Sequence, residues 1–237
     1  MEQNKQRIVV KVGTSTLTHN SGALDLWSME HLVRTLADLQ GMGHEVILVS
    51  SGAIAVGTAK LGLSERPKEL RMKQAAAAVG QCRMMHIYDK FFSEYNRSMA
   101  QILLTGDDVE DPERAEHLSN TFSALLEMGV IPVVNENDSV SSAEIETGRH
   151  KVLGDNDTLS AIVAELCRAD LLVLLSDIDG LYDADPKTHP EAKLLHQVTE
   201  LTPEILEMAG GAGSWRGTGG MATKLSAARI AMEAGCD

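Results

Sequence analysis

The segment Gly217-Thr218-Gly219-Gly220-Met221-Ala222-Thr223-Lys224 sets three glycines and a threonine ahead of a lysine and an alanine-rich amphipathic run. Such a loop can close its backbone N–H groups around phosphate oxygens, because glycine lacks the Cβ that would block the approach. The lysine adds a point charge, and a helix starting there adds its positive end. The pattern is not a P-loop, and no Gly-x-Gly-x-x-Gly occurs in the chain. Taken alone, the segment also reads as a flexible turn. A second lysine points to the same chemistry. Lys11 interrupts the apolar run Arg7-Ile8-Val9-Val10-Lys11-Val12-Gly13 near its end, where a buried ammonium is costly unless something anionic meets it. The competing reading is an edge lysine that snorkels to water.

Four runs have the look of buried parallel strands, short and β-branched. They are Arg7 to Val12, Glu45 to Ser50, Val130 to Val134 and Leu171 to Leu175. Small polar residues follow each of them: Gly13-Thr14-Ser15, Ser51-Gly52-Ala53, Asn135-Glu136-Asn137-Asp138-Ser139, and Ser176-Asp177-Ile178-Asp179-Gly180-Leu181-Tyr182. These clusters converge only if the sheet is parallel, and ligands of open α/β sheets sit at the carboxyl ends of the strands.

Helical periodicity marks Asp25 to Gln40, Leu70 to Tyr95, Arg114 to Met128 and Thr158 to Arg168. The alanines Ala75 to Ala78 permit another backbone to pack closely on the second of these. Ala100 to Leu104 reads as a further strand, and Asp183 to Gln197 as a loop followed by a short strand. Ser139 to Leu153 is polar and reads as a loop or hairpin over the site. The 237 residues, 43% hydrophobic, suit one α/β domain with a substantial core, and 3% aromatics make that core aliphatic. A formal net charge of −13 argues against a nucleic-acid surface, so an anionic ligand must be held by local cations and amides. Cys82, Cys167 and Cys236 are too dispersed for a zinc site or a disulfide framework, and no signal peptide or membrane-spanning stretch is visible. A cytoplasmic protein without membrane or nucleic-acid partners is expected.

Taken in order, Lys11-Val12-Gly13-Thr14-Ser15, Val49-Ser50-Ser51-Gly52-Ala53, Asn135-Glu136-Asn137-Asp138, Gly154-Asp155-Asn156-Asp157, Ser176 to Tyr182 and Gly217 to Lys224 resemble the motif set of the amino acid kinase family. The match spans almost the whole chain. It implies a three-layer α/β/α sandwich around a mainly parallel sheet, with ATP and an acid meeting across the strand C-termini. Within the family, the resemblance is to members that phosphorylate the γ-carboxylate of L-glutamate in the first step of proline biosynthesis. One departure stands out. Gly235-Cys236-Asp237 leads into a further strand in the family, and many of those members continue into a small C-terminal domain of the PUA type. Here the chain stops, and residues 1–237 are read as one amino acid kinase domain.

The resemblance assigns roles. Lys11 and Lys224 would stabilise the transferring phosphoryl group from opposite sides, with Asp157 holding both. The other reading of Asp157 is an ordinary N-cap for the helix beginning near Thr158. ATP would lie against Lys11, Gly13, Ser176, Asp177, Thr218, Gly219, Gly220, Met221, Ala222, Thr223 and Lys224. Mg2+ would bridge its phosphates through largely water and phosphate ligands, with no dedicated metal site in the protein. The acceptor would meet Ser51, Gly52, Ala53, Asn135, Asp138 and Asn156. A carboxylate at Asp138 suits a free α-ammonium group and gains nothing from an acylated nitrogen.

Alternatives in the sequence are an Asx-turn at Asn135 to Ser139 and a calcium loop at Asp177 to Tyr182, although the glycine there falls at the wrong position for an EF-hand. Sibling kinases acting on N-acetylglutamate, aspartate, carbamate or a nucleoside monophosphate would share the ATP half. A non-catalytic sensor on the same fold would be expected to lose a lysine or Asp157. Two further expectations concern regulation and assembly. Proline would compete at the glutamate pocket, with Glu144, Ile145 and Glu146 in the loop that closes over it. The helix Leu70 to Tyr95, with Met84, Met85 and Ile87, would contribute to a homo-oligomer.

Overall fold

Parallel pairing of the β-branched runs builds the centre of the molecule. The computed structural model describes residues 5–140, 153, 155–186, 188–208 and 220–237. In chain order the elements are β1 (Arg7–Val12), α1 (Thr14–Leu17), α2 (Leu26–Gly41), β2 (Glu45–Ser50), α3 (Ala53–Lys60), α4 (Leu70–Glu94), β3 (Met99–Leu104), α5 (Gly106–Glu110) and α6 (Pro112–Glu127). They continue with β4 (Ile131–Glu136), α7 (Asn156–Cys167), β5 (Leu171–Leu174), α8 (Pro203–Met208) and α9 (Met221–Glu233). The strands form one sheet in the order β3-β4-β2-β1-β5, every pairing parallel. Lys11 pairs with Val49 on one side and Leu174 on the other, so the ends of β1, β2 and β5 lie along one edge.

Alternation along β1 decides what each residue faces. Ile8, Val10 and Val12 pack with α2, α3 and α4 through Met29, Val33, Leu36, Val56, Met84 and Tyr88. Val9 faces the opposite layer, where Phe122 and Leu126 of α6, Leu159 and Val163 of α7 and Ala231 of α9 are buried. Lys11 is two residues on from Val9 and therefore shares the α7 side. Both sheet faces are covered, as the three-layer sandwich requires.

The alanine run of α4 does permit the close approach expected of it. A Cβ on Gly80 would fall 1.8 Å from the Ala53 carbonyl oxygen, and one on Gly57 1.8 Å from that of Ala76. Backbone therefore touches backbone where α3 crosses α4, directly beneath the Ser51-Gly52-Ala53 turn. Gly80→Ala should force the two helices apart and destabilise the protein by about 3 kcal/mol or more, the upper range for overpacking. Thermal unfolding measures this, and an unchanged midpoint would mean that the crossing relaxes freely.

Several boundaries differ from the sequence reading. Strand β4 runs to Glu136, because Leu103 and Leu104 of β3 extend the ladder to Asn135 and Glu136. The short strand expected at the end of residues 183–197 is reduced to an isolated antiparallel bridge between Tyr182 and Leu194. Pro186 and Pro190 lie in the connecting segment and supply no backbone donors for a longer ladder. Helix α4 offers less apolar surface to a second copy than expected, since Met84 and Ile87 are 0% and 5% exposed and already belong to the core.

Candidate active site

The first turn of α7 sets the centre of the site. Asp155, not Asp157, caps this helix, accepting from the backbone N–H groups of Asp157 and Thr158 at 2.8 and 3.0 Å. The N-cap reading of Asp157 is thereby corrected: the aspartate two residues earlier takes the cap, which moves the helix start forward to Asn156 and frees the Asp157 carboxylate. That carboxylate is 1% exposed and lies between two ammonium groups. Lys11 Nζ is 2.7 Å from Oδ1, and Lys224 Nζ is 3.2 Å from Oδ2. Thr223 Oγ1 also donates to Oδ2 at 2.9 Å.

Burial pushes the Asp157 carboxyl upward. The bonded Lys11 ammonium, with Lys224 and Thr223, outweighs that effect and holds it below the ordinary carboxylate value. Asp157 therefore stays ionised at neutral pH. Two ammoniums against one carboxylate leave the cluster with a surplus of one positive charge. Lys11 is 7% exposed, so the snorkelling reading fails; an internal carboxylate meets its charge.

The cluster forms the floor of a cleft of about 420 Å³ at the carboxyl ends of β1, β2 and β5. Gly13, Thr14 and Ser15 line it after β1, Ser51 after β2, and Leu175, Ser176 and Asp177 after β5. Asp155, Asn156, Asp157 and Lys224 complete the wall, together with Arg66. Arg66 was not anticipated. It sits in the polar connection between α3 and α4, where no periodicity or motif distinguishes it from a solvated surface cation.

A second cavity, of about 360 Å³, is lined by Ala53, Glu136, Asn137, Asp138, Gln81 and neighbouring α4 residues. The expected acceptor residues thus divide between two spaces. Ser51 and Asn156 line the first, Ala53 and Asp138 the second. Gly52 lines neither; it forms the turn between β2 and α3 with φ +109, a conformation that favours glycine. Asn135 also lines neither. It is 3% exposed, and both ends of its amide are engaged by protein.

Of the residues expected to meet the nucleotide, Gly220 is the N-cap of α9 and Met221, Ala222 and Thr223 form its first turn, so this helix begins beside the cluster. Thr218, Gly219, Gly154 and the segment containing Glu144, Ile145 and Glu146 lie outside the described residues.

A sheet edge carrying two lysines, a carboxylate that joins them and a helix N-terminus has the equipment of a phosphoryl-transfer site. Comparison with known proteins agrees: the profile of the amino acid kinase family matches residues 6–237, and the chain belongs to that family. It is 56% identical over 235 residues to glutamate 5-kinase from Clostridium perfringens, covering 99% of this chain and 87% of that protein. Glutamate 5-kinase from Clostridium acetobutylicum is likewise 56% identical, over 98% of this chain and 85% of its own length. The UMP kinase structure from Ureaplasma parvum matches with a TM-score of 0.59 over 99% of this chain and 88% of its own. At 16% identity, that likeness concerns the fold alone.

Proposed function

We propose that this chain transfers the terminal phosphoryl group of ATP to the γ-carboxylate of L-glutamate, releasing ADP and L-glutamyl 5-phosphate. The observation that carries the reading is the pair of ammoniums held on either side of the buried Asp157. The relatives' shared name supports the choice of acceptor.

A γ-carboxylate, with a reference pKa of about 4.3, is already ionised at neutral pH, so no strong base is required. The difficulty is electrostatic: an anion must approach the terminal phosphoryl of a polyanion. Lys11 and Lys224 neutralise charge where the bond to the carboxylate oxygen forms and the bond to the leaving ADP oxygen breaks. Asp157 accepts no proton. It orients both lysines and limits the positive charge that would otherwise be buried. ATP would enter along Gly13, Ser176, Asp177 and the start of α9. Glutamate would place its reacting carboxylate near Ser51 and Asn156, and its α-ammonium toward Asp138.

Among the described residues, no group of three His, Cys, Asp or Glu side chains could cage a metal ion. Magnesium would enter with the nucleotide and neutralise charge on its phosphates, with Asp155 or Asp177 of the cleft wall supplying at most an outer carboxylate. Proline keeps an α-carboxylate and a charged nitrogen but lacks the γ-carboxylate, so it would compete with glutamate without being phosphorylated. The reading also includes a cytoplasmic location and a homo-oligomer, the latter with less free apolar surface on α4 than the sequence suggests. Among the described helices, none is long and apolar enough to cross a membrane.

The test is ADP release across a panel of acceptors, with hydroxylamine added to trap the acyl phosphate as a hydroxamate. Glutamate should give the highest turnover and the hydroxamate. Faster turnover on N-acetylglutamate or a nucleoside monophosphate would overturn the assignment.

A further inference from the structure

Among the described residues three cations line the cleft, and two of them, Lys11 and Lys224, are joined to Asp157. The third, Arg66, stands at the exposed rim. Glu69, three residues along the chain, is paired with Arg71 at 2.9 Å. Of the carboxylates in the lining, Asp155 caps α7 and Asp157 is held by the two lysines. Only Asp177, exposed after β5, could meet Arg66 across the cleft. Solvent weakens an exposed pair of that kind, and a phosphoryl group of higher charge would displace it.

The fold constrains where Arg66 can reach. At the crossing of α3 and α4, Ala53 faces Gly80 and Gly57 faces Ala76. The two helices are therefore antiparallel, and residues 61–69 form the tip that joins them. Contact of backbone with backbone leaves the pair little freedom to shift. Pro67 fixes its own φ and biases Arg66 toward extended backbone. The main chain at Arg66 is thus held in place, while its long side chain can turn.

Arg66 shares the cleft with Ser51 and Asn156, where the reacting carboxylate is placed. It does not line the cavity of Asp138, toward which the α-ammonium points. The α-carboxylate hangs from the same carbon as that ammonium and goes with it. Arg66 therefore faces the reacting end of the acceptor.

We propose that Arg66 is a further catalytic residue, whose guanidinium closes on the terminal phosphoryl group of ATP from the rim while Lys11 and Lys224 hold it from the floor. A planar guanidinium fork matches two phosphoryl oxygens at once, whereas each ammonium acts as a point charge. In the transfer, a γ-carboxylate oxygen bonds to phosphorus, the bond from phosphorus to the bridging oxygen breaks, and ADP keeps that electron pair. Arg66 exchanges no proton; it neutralises charge on the oxygens of the group in flight. The inference rests on the kinase reading above and adds a third cation to it.

Arg66→Gln keeps reach and hydrogen bonding but removes the charge, and Arg66→Lys keeps the charge but removes the fork. At an exposed position neither should move the unfolding midpoint. Arg66→Gln should lower kcat about 30-fold with the glutamate KM within about threefold, and Arg66→Lys should lower kcat about five-fold. A kcat for Arg66→Gln within about threefold of the natural protein's would overturn the proposal. So would an increase of about tenfold in the glutamate KM at unchanged kcat, which would make Arg66 an acceptor contact.

A measurement without acceptor separates this proposal from the glutamate reading. Calorimetric titration compares the magnesium complex of a non-hydrolysable ATP analogue with that of ADP. Arg66→Gln should weaken binding of the analogue about tenfold and of ADP by no more than about twofold. Equal weakening of both, or of neither, would end the contact whatever the acceptor is. Glutamate left unphosphorylated by the natural protein, together with an analogue-selective loss in Arg66→Gln, would overturn the acceptor assignment and leave the Arg66 contact standing.

Discussion

Lys224→Ala is expected to lower kcat by about 10²–10³-fold, the range seen when one preorganised donor to a developing charge is removed. The glutamate KM should change far less. The reason is where the charge is needed. In the resting site Lys224 Nζ is 3.2 Å from an aspartate that already has Lys11 at 2.7 Å, so its loss leaves Asp157 still paired. Folding should therefore survive. What disappears is the cation on the α9 side of the transferring group, and its worth is greatest as that group passes between oxygens. Steady-state kinetics with ATP and glutamate varied separately would check this. An unchanged kcat would remove Lys224 from the catalytic set.

Asp157→Asn should behave differently, damaging stability as well as turnover. Here two cations lose their common counter-charge, and the Lys11 side chain is only 9% exposed. Breaking a buried ion pair by removing one partner costs on the order of 3–5 kcal/mol, because the remaining charge has neither water nor a partner. The fall in kcat should reach about 10²-fold, since both lysines lose their orientation.

The pH dependence distinguishes this from a packing defect. The Asp157 carboxyl is held below its ordinary value in the folded protein, so its stabilising contribution is complete above the unfolded value of about 3.9. That contribution is lost as pH falls through the lower folded value. The stability gap between the natural protein and Asp157→Asn should thus be constant from about pH 5 to 8 and narrow only in stronger acid. Denaturant titrations at several pH values would measure it. A gap that instead narrowed near neutrality would mean that Asp157 is not ionised there.

Much of this site is local chemistry and could be read without coordinates. The β-branched run of β1 implies a buried strand, and alternation places Lys11 on the Val9 side. Two sheet faces of apolar residues imply helices above and below. The glycine-rich loop before Lys224 and the small residues after each strand imply ligand groups at one sheet edge if the strands are parallel, which they are. Even the close crossing of α3 and α4 is announced by the alanines of α4, although its contact with Gly57 is not.

The tertiary structure decided the partners. Asp157 and Lys224 are 67 positions apart; the family resemblance puts them together, but nothing in either neighbourhood by itself says that they touch. Two aspartates near the start of α7 compete for one cap in the sequence. Only the fold shows Asp155 taking it and Asp157 turned inward. Asn135 follows a strand and is expected to meet the acceptor; only the fold shows it buried, with Gln81 of α4 and Asn156 of α7 at the two ends of its amide. Arg66 and Gln81 carry no local signal at all. Periodicity and propensity act over one or two turns of chain and so determine which elements form and which face each residue takes. Charge pairing and amide hydrogen bonding depend on groups brought together from distant elements, and those distances exist only once the layers have packed.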